Sequence, residues 1–268
     1  MPAPGKDITQ GIVMNKRIFR SFIIILGFLL SMFFPAILKN IFNISGDKIF
    51  IVSLGYPFTI IIITLTLYFL YRYKIFDLVA ELGLKKGFVK GFLFGLIAAS
   101  PMLISSAIFF KLSDNIFSYT VLISVIIAPF MEELLFRGYL FGQLFKREKW
   151  GFIPASLLAA IFFGAGHLYQ GNTLASLAGI FMFTFTGSLW NSWLYIEHDN
   201  NLWIPIWLHV FMNMSWIVFQ TDVPGAAGNN ITNIFRIVTI TITVIYTIRH
   251  SKKNRFKINR KNLFRVAG

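Results

Sequence analysis

Eight times along this chain an apolar run recurs that is long enough to cross the roughly 30 Å hydrocarbon core of a bilayer. The runs cover approximately 18–38, 49–71, 88–110, 116–145, 152–168, 174–195, 202–219 and 231–248. None alternates with period two, as the strands of a membrane barrel do, so each is expected to be a helix. The fifth is short, and the fourth is long enough to require tilt or protrusion. Only 13% of the residues are charged, against roughly 25% in soluble chains, which leaves too little polar surface to cover a globule in water. With 56% hydrophobic residues the chain is too apolar for a solvated coil. Having no cysteine, it can build neither a disulfide framework nor a thiolate metal site. The expectation is an all-α, polytopic membrane helical bundle of about eight transmembrane helices, forming a single integral membrane domain over residues 1–268.

The basic residues orient this bundle. The formal charge of +14 is not gathered on any soluble module, so no nucleic-acid partner is expected. Eight of the 25 Lys and Arg lie between Arg249 and Arg265. Eight spans place the N-terminus, the loops near 72–87, 146–151 and 196–201, and the C-terminal tail on one side. Counting Lys90 and Arg137 at helix ends, that side holds 21 Lys and Arg, the other only Lys39, Lys48 and Lys111. The asymmetry predicts both termini cytoplasmic in a multi-pass cell membrane protein. No small-residue cleavage site follows Phe34, so the first span is expected to be a retained helix rather than a signal peptide. Met14 followed by Asn-Lys-Arg resembles a natural start, which would make residues 1–13 an upstream extension.

Against this background the informative residues are ionisable ones inside apolar runs, each costing roughly 2.5–3.5 kcal/mol at a helix centre. The fourth run contains Glu132 and Glu133 followed by Arg137. Glu133 and Arg137 stand four apart and can pair on one helical face. Glu132 points about 100° away and lacks that partner, which makes it the free carboxylate. Pro129 cannot donate to the Val125 carbonyl, favouring a kink or a hydrated opening. A blander reading makes the three an interhelical polar clamp. In an antiparallel hairpin of the fourth and fifth runs, Glu132 and His167 lie equally far from the turn between Lys149 and Trp150, hence at similar depth. Gly164 and Gly166 allow close backbone approach beside His167. His209 and Asn213 share a face of the seventh run, where two donors could hold an oxyanion or stitch two helices together. Asn191 is expected to be such a stitch, His198 and His250 to be solvated, and Trp190, Trp193, Trp203 and Trp207 to lie near an interface.

Taken together, Glu132-Glu133-x-x-x-Arg137, Phe163-x-x-x-His167 and His209-x-x-x-Asn213 resemble, in order and spacing, the three motifs of the CPBP (CAAX protease and bacteriocin-processing, or Abi) family of intramembrane proteases. The resemblance covers roughly residues 117–220. It implies a helical bundle with a water-accessible cavity, and endopeptidase cleavage of a membrane-associated protein or peptide by a glutamate-activated water. Carried onto this chain, it makes Glu132 the general base, His167 its partner in orienting the water, and His209 and Asn213 the oxyanion donors. Glu133 and Arg137 provide structural support. The resemblance favours a metal-free glutamate mechanism with no cofactor, although His167, His209 and one glutamate could alternatively hold zinc.

Two other functions compete with proteolysis. A non-proteolytic membrane scaffold or bacteriocin self-immunity protein would act by binding a partner, and a transporter could use the same Glu and His as a proton relay. Transporters often show repeated halves, and no such symmetry is visible. Nothing in the residues encodes prenyl specificity. The Ile-, Phe-, Lys- and Asn-rich composition suggests a bacterial plasma membrane, where a peptide pheromone, a bacteriocin leader or a membrane-protein segment is the expected substrate.

Overall fold

The computed structural model describes residues 4–221 and 225–266, with side chains from residue 14 onward except residue 225. Residues 1–3, part of the expected upstream extension, lie outside the described residues. Helix α1 runs Pro4–Phe42, α2 Lys48–Leu54 and α3 Tyr56–Tyr71, with Gly55 separating the last two. A short α4, Ile75–Glu81, leads into α5, Phe88–Phe109. Then come α6, Tyr119–Lys146, α7, Phe152–His167, α8, Leu174–Glu197, α9, Trp203–Ile217, and α10, Asn230–Asn254. Among the described residues the only β pairings are two isolated bridges.

Seven helical segments among the described residues are long and apolar enough to cross a membrane. The eighth expected span forms α9, whose 15 residues reach only about 22 Å at 1.5 Å per residue. It is nonetheless level with a full span at both ends. At one end the Leu202 amide donates to the Gly83 carbonyl at 3.0 Å, just before α5. At the other, the Ser113 amide, just after α5, donates to the Val218 carbonyl at 2.9 Å. The helices pack almost backbone to backbone because α5 presents Gly91 and Gly95, one turn apart. A β-carbon on Gly91 would come within 2.4 Å of the Trp203 carbonyl oxygen, and one on Gly95 within 2.8 Å of the Leu208 nitrogen. In lipid, where hydrophobicity does not drive helices together, such small-residue faces set the contact.

The exterior is apolar and the interior in part polar, as lipid demands. Helix α10 makes the point. Thr232, Arg236, Thr239, Thr243, Thr247 and Ser251 recur every three to four residues on its buried face, while Ile234, Ile237 and Ile245 face outward.

The five segments that the charge pattern put on one side meet at one end of the bundle. Tyr71 donates to Glu148, Glu81 pairs with Lys146 at 3.1 Å and with Arg147, and the Trp150 indole donates to Ser21 at 3.0 Å. The amide of Gly151 donates to the Phe264 carbonyl at 3.1 Å. Buried Glu197 accepts from Ser251 at 2.6 Å and from the Ile258 amide at 3.0 Å, tying down the tail. Burial works against the Glu81 charge, but the cations of Arg147 and Lys146 win and hold its carboxyl below the usual range.

Three expectations fail. His198 is buried rather than solvated, with Nε2 3.0 Å from Thr247 Oγ1 and its ring stacked on His250. His250 itself is only part-exposed, because α10 runs on through it. Arg137, counted with the basic end, lies fully buried in the core instead.

Candidate active site

Helix α6 departs from α geometry twice, with π-helical turns at Ile123–Ile127 and Leu134–Phe141. Such turns are uncommon and recur at functional sites. The first changes which carbonyl Pro129 leaves unserved. The Ala128 amide already bonds five residues back, to Ile123, so Pro129 withholds a donor from Ser124 rather than from Val125. Asn213 supplies it: its Nδ2 donates to the Ser124 carbonyl at 3.0 Å. The missing proline donor therefore joins α6 to α9.

One turn further on, Glu133 is buried completely, and its Oε1 is the convergence point of three helices. Arg137 Nη1 lies 3.1 Å away, Asn191 Nδ2 donates from α8 at 3.0 Å, and His209 Nδ1 from α9 at 2.9 Å. The Arg137 guanidinium also rests over the Phe163 ring of α7, 4.5 Å from its centroid. A buried ion pair offsets its desolvation only when further hydrogen bonds support it, and Asn191 and His209 give Glu133 that support. The interhelical clamp is thus real, but it is built on Glu133.

Glu132 is outside the clamp. Its side chain is 30% exposed, and Oε2 lies 3.8 Å from His209 Nε2. It borders a cavity of about 680 Å³ that His167, His209, Asn213, Arg137 and Asn191 also line. A second cavity of about 480 Å³, running beside α1, α2 and α3, shares Glu132 and His167 as walls. These two side chains therefore stand where both spaces meet.

The hydrogen bonds fix the ring protons of both histidines. His167 Nδ1 lies 2.7 Å from the Phe163 carbonyl, which can only accept, so Nδ1 carries the proton and Nε2 presents a lone pair. The same logic protonates His209 Nδ1, which faces Glu133. For His209 to donate through Nε2 as well, it must be an imidazolium. Packing of α7 against α8 depends on Gly164, where a β-carbon would come within 2.9 Å of the Phe181 ring.

The structure therefore brings Glu132, Glu133, Arg137, His167, His209 and Asn213 to one place. Sequence reasoning undervalued Asn191, whose stitch holds the site's own glutamate; the intramembrane amide on a Ser-rich helix was its visible signal. Trp190, expected at an interface, lines the larger cavity. Among the described residues no group of three or more His, Cys, Asp and Glu stands close enough to hold a metal ion.

Residues 114–215 match the family described as type II CAAX prenyl endopeptidase Rce1-like. Over 102 residues the chain is 31% identical to the Bacillus subtilis (strain 168) protein named "Putative membrane peptidase YdiL". That stretch is 38% of this chain and 37% of the relative's length, so the chain aligns with about a third of the protein it matches. The family match falls on the segment that carries the glutamates, His167, His209 and Asn213. The two similarities bear out, over part of this multi-pass membrane protein, its resemblance to the CPBP family of intramembrane proteases.

Proposed function

We propose that this chain is an integral membrane endopeptidase that cleaves a membrane-associated protein or peptide, with Glu132 as general base. The observation that carries this reading is the division of labour between adjacent glutamates: Glu133 is buried, ion-paired with Arg137 and hydrogen-bonded by Asn191 and His209, while Glu132 is part-exposed where two cavities meet. A water held between Glu132 and the bare Nε2 of His167 has an acceptor on each side. Glu132 takes one of its protons as the oxygen attacks the scissile carbonyl. The tetrahedral oxyanion is met by Nε2–H of a charged His209 and by the amide proton of Asn213 not spent on Ser124. The proton on Glu132 then passes to the departing amine, the C–N bond breaks, and the carboxylate is restored. The protein supplies every group in this sequence, so we assign no step to a metal. The basic end faces the cytoplasm in this reading, with both termini there.

Separate Gln substitutions at the two glutamates test it. Glu132→Gln should abolish cleavage and leave the melting temperature in detergent unchanged. Glu133→Gln should lower stability by about 3–5 kcal/mol, because Arg137 is left buried without its counterion. Cleavage by the proposed route should persist in chelator. Loss of activity in chelator with restoration by zinc would replace this mechanism with a metal-assisted one.

A further inference from the structure

The larger cavity has a direction. Its walls include Lys48 and Ile49, which begin α2, Tyr169 and Gln170, which follow α7, and Thr221 and Ala226, which follow α9. All belong to the end of the bundle opposite the basic one. That end is held together by the Gln220 amide on the Lys111 carbonyl at 2.8 Å and the Ala226 amide on Gln170 Oε1 at 2.7 Å. Among the described residues, none of the lining comes from the connections at 72–87, 146–151 or 196–202, nor from the tail beyond Asn254. The second cavity likewise reaches toward Lys39 and Lys48.

The wall of the larger cavity also carries a cation that catalysis does not use. Arg236 sits inside α10, 95% buried at 5% exposure. Phe183 and Trp216 sandwich its guanidinium at 4.9 and 5.0 Å from their centroids. Nη1 donates to the Ala226 carbonyl at 2.8 Å, while Nε is buried without a partner. Among the described residues no carboxylate pairs with it. A buried arginine inside a span is costly and, by default, marks a functional site. Aromatic faces orient a guanidinium without neutralising it, so its charge remains available to an anion. Among the described residues that line the cavity, the one acid is Glu132.

We propose that substrate reaches the site from the extracytoplasmic face, and that Arg236 receives a carboxylate of the substrate peptide. The side follows from the basic end being cytoplasmic and the cavity opening at the other. The carboxylate is either a free C-terminus or an Asp or Glu side chain, and its capture fixes which peptide bond reaches Glu132. This inference rests on the endopeptidase reading for its chemistry, but its two parts are measurable without turnover.

The absence of cysteine makes the side directly testable. In intact cells a membrane-impermeant maleimide should label Ala226→Cys at the cavity mouth, and should label Lys86→Cys only after the membrane is opened. The reverse pattern would overturn extracytoplasmic access. For the carboxylate site, binding of a synthetic peptide library is measured on Glu132→Gln in liposomes. The library pairs free C-termini with C-terminal amides, and internal Asp or Glu with Asn or Gln. A charged hydrogen bond lost with Arg236→Gln should weaken carboxylate peptides about ten-fold or more and leave the amide or Asn/Gln partners unchanged. Arg236→Lys should recover part of the loss. The pair that loses its preference tells which carboxylate is bound. Equal binding of all pairs to the Arg236-containing protein would overturn the site. If Glu133-intact, Glu132-intact protein cleaves nothing while both readouts hold, the endopeptidase reading fails and this inference survives it.

Discussion

The side-chain amide of Asn213 donates to the main-chain carbonyl of Ser124, 3.0 Å away, and that bond exists because of a proline five residues further along α6. A residue expected to serve the oxyanion is thus also part of the scaffold. One amide proton is committed to the helix, and one is left for chemistry.

The two duties separate by mutation. Asn213→Ala should cost about 1–3 kcal/mol in stability, the penalty for an unserved buried carbonyl. It should also cost on the order of 10²–10³ in rate, the usual price of an oxyanion donor. Adding Pro129→Ala restores an N–H that the π turn directs at Ser124. The double variant should regain stability over Asn213→Ala, with its rate still depressed. Recovery of both by thermal melts and turnover would show Asn213 to be structural alone.

The α5–α9 contact sets the position of His209 and Asn213, so crowding it should be felt in the site. Gly95→Ala places a β-carbon within 2.8 Å of the Leu208 nitrogen. This should cost about 1–3 kcal/mol by overpacking and lower turnover as α9 shifts. Gly179→Ala meets nothing within 4 Å and should leave melting temperature and turnover near wild type. Equal behaviour of the two variants would remove α5 as the positioning element.

At the basic end of the bundle, His198 should make stability depend on pH. Burial, with Lys90 and His250 nearby, pushes its imidazole down to about 3 from 6.5. Above pH 6.5 it is neutral folded and unfolded, and nothing is lost. As pH falls below 6.5 the unfolded chain takes up a proton that the fold refuses, so stability drops until about pH 3. At pH 5 the loss is about 2 kcal/mol. His198→Gln should remove that part of the decline between pH 7 and 5, measured by melting in detergent; an unchanged decline would assign it to other groups.

Much of this was legible in the sequence because lipid makes polar residues conspicuous. Glu132, Glu133, Arg137, His167, His209 and Asn213 stand out against apolar neighbours, and helical spacing alone separated the two glutamates. The charge pattern grouped the five segments that meet at one end. What stayed hidden depended on contacts distant in sequence or on a change of helical period. An α-helical period assigned the proline's unserved carbonyl to Val125, and only the π turn moves it to Ser124. His198 looked like a loop residue because the α10 residues that cover it, Thr247 and His250, lie about fifty residues away. The short α9 looked like an ordinary span, since Gly91 and Gly95, the signal of its close packing, are on another helix.

The central claim is that Glu132 activates water for peptide cleavage. The most direct measurement reconstitutes wild-type and Glu132→Gln proteins in liposomes with host membrane proteins and identifies released peptides by mass spectrometry. Peptides that appear with wild type, persist in chelator and vanish with Glu132→Gln are the predicted result. Identical peptide sets from both proteins, each shown to be folded, would contradict it and leave a scaffold that acts by binding.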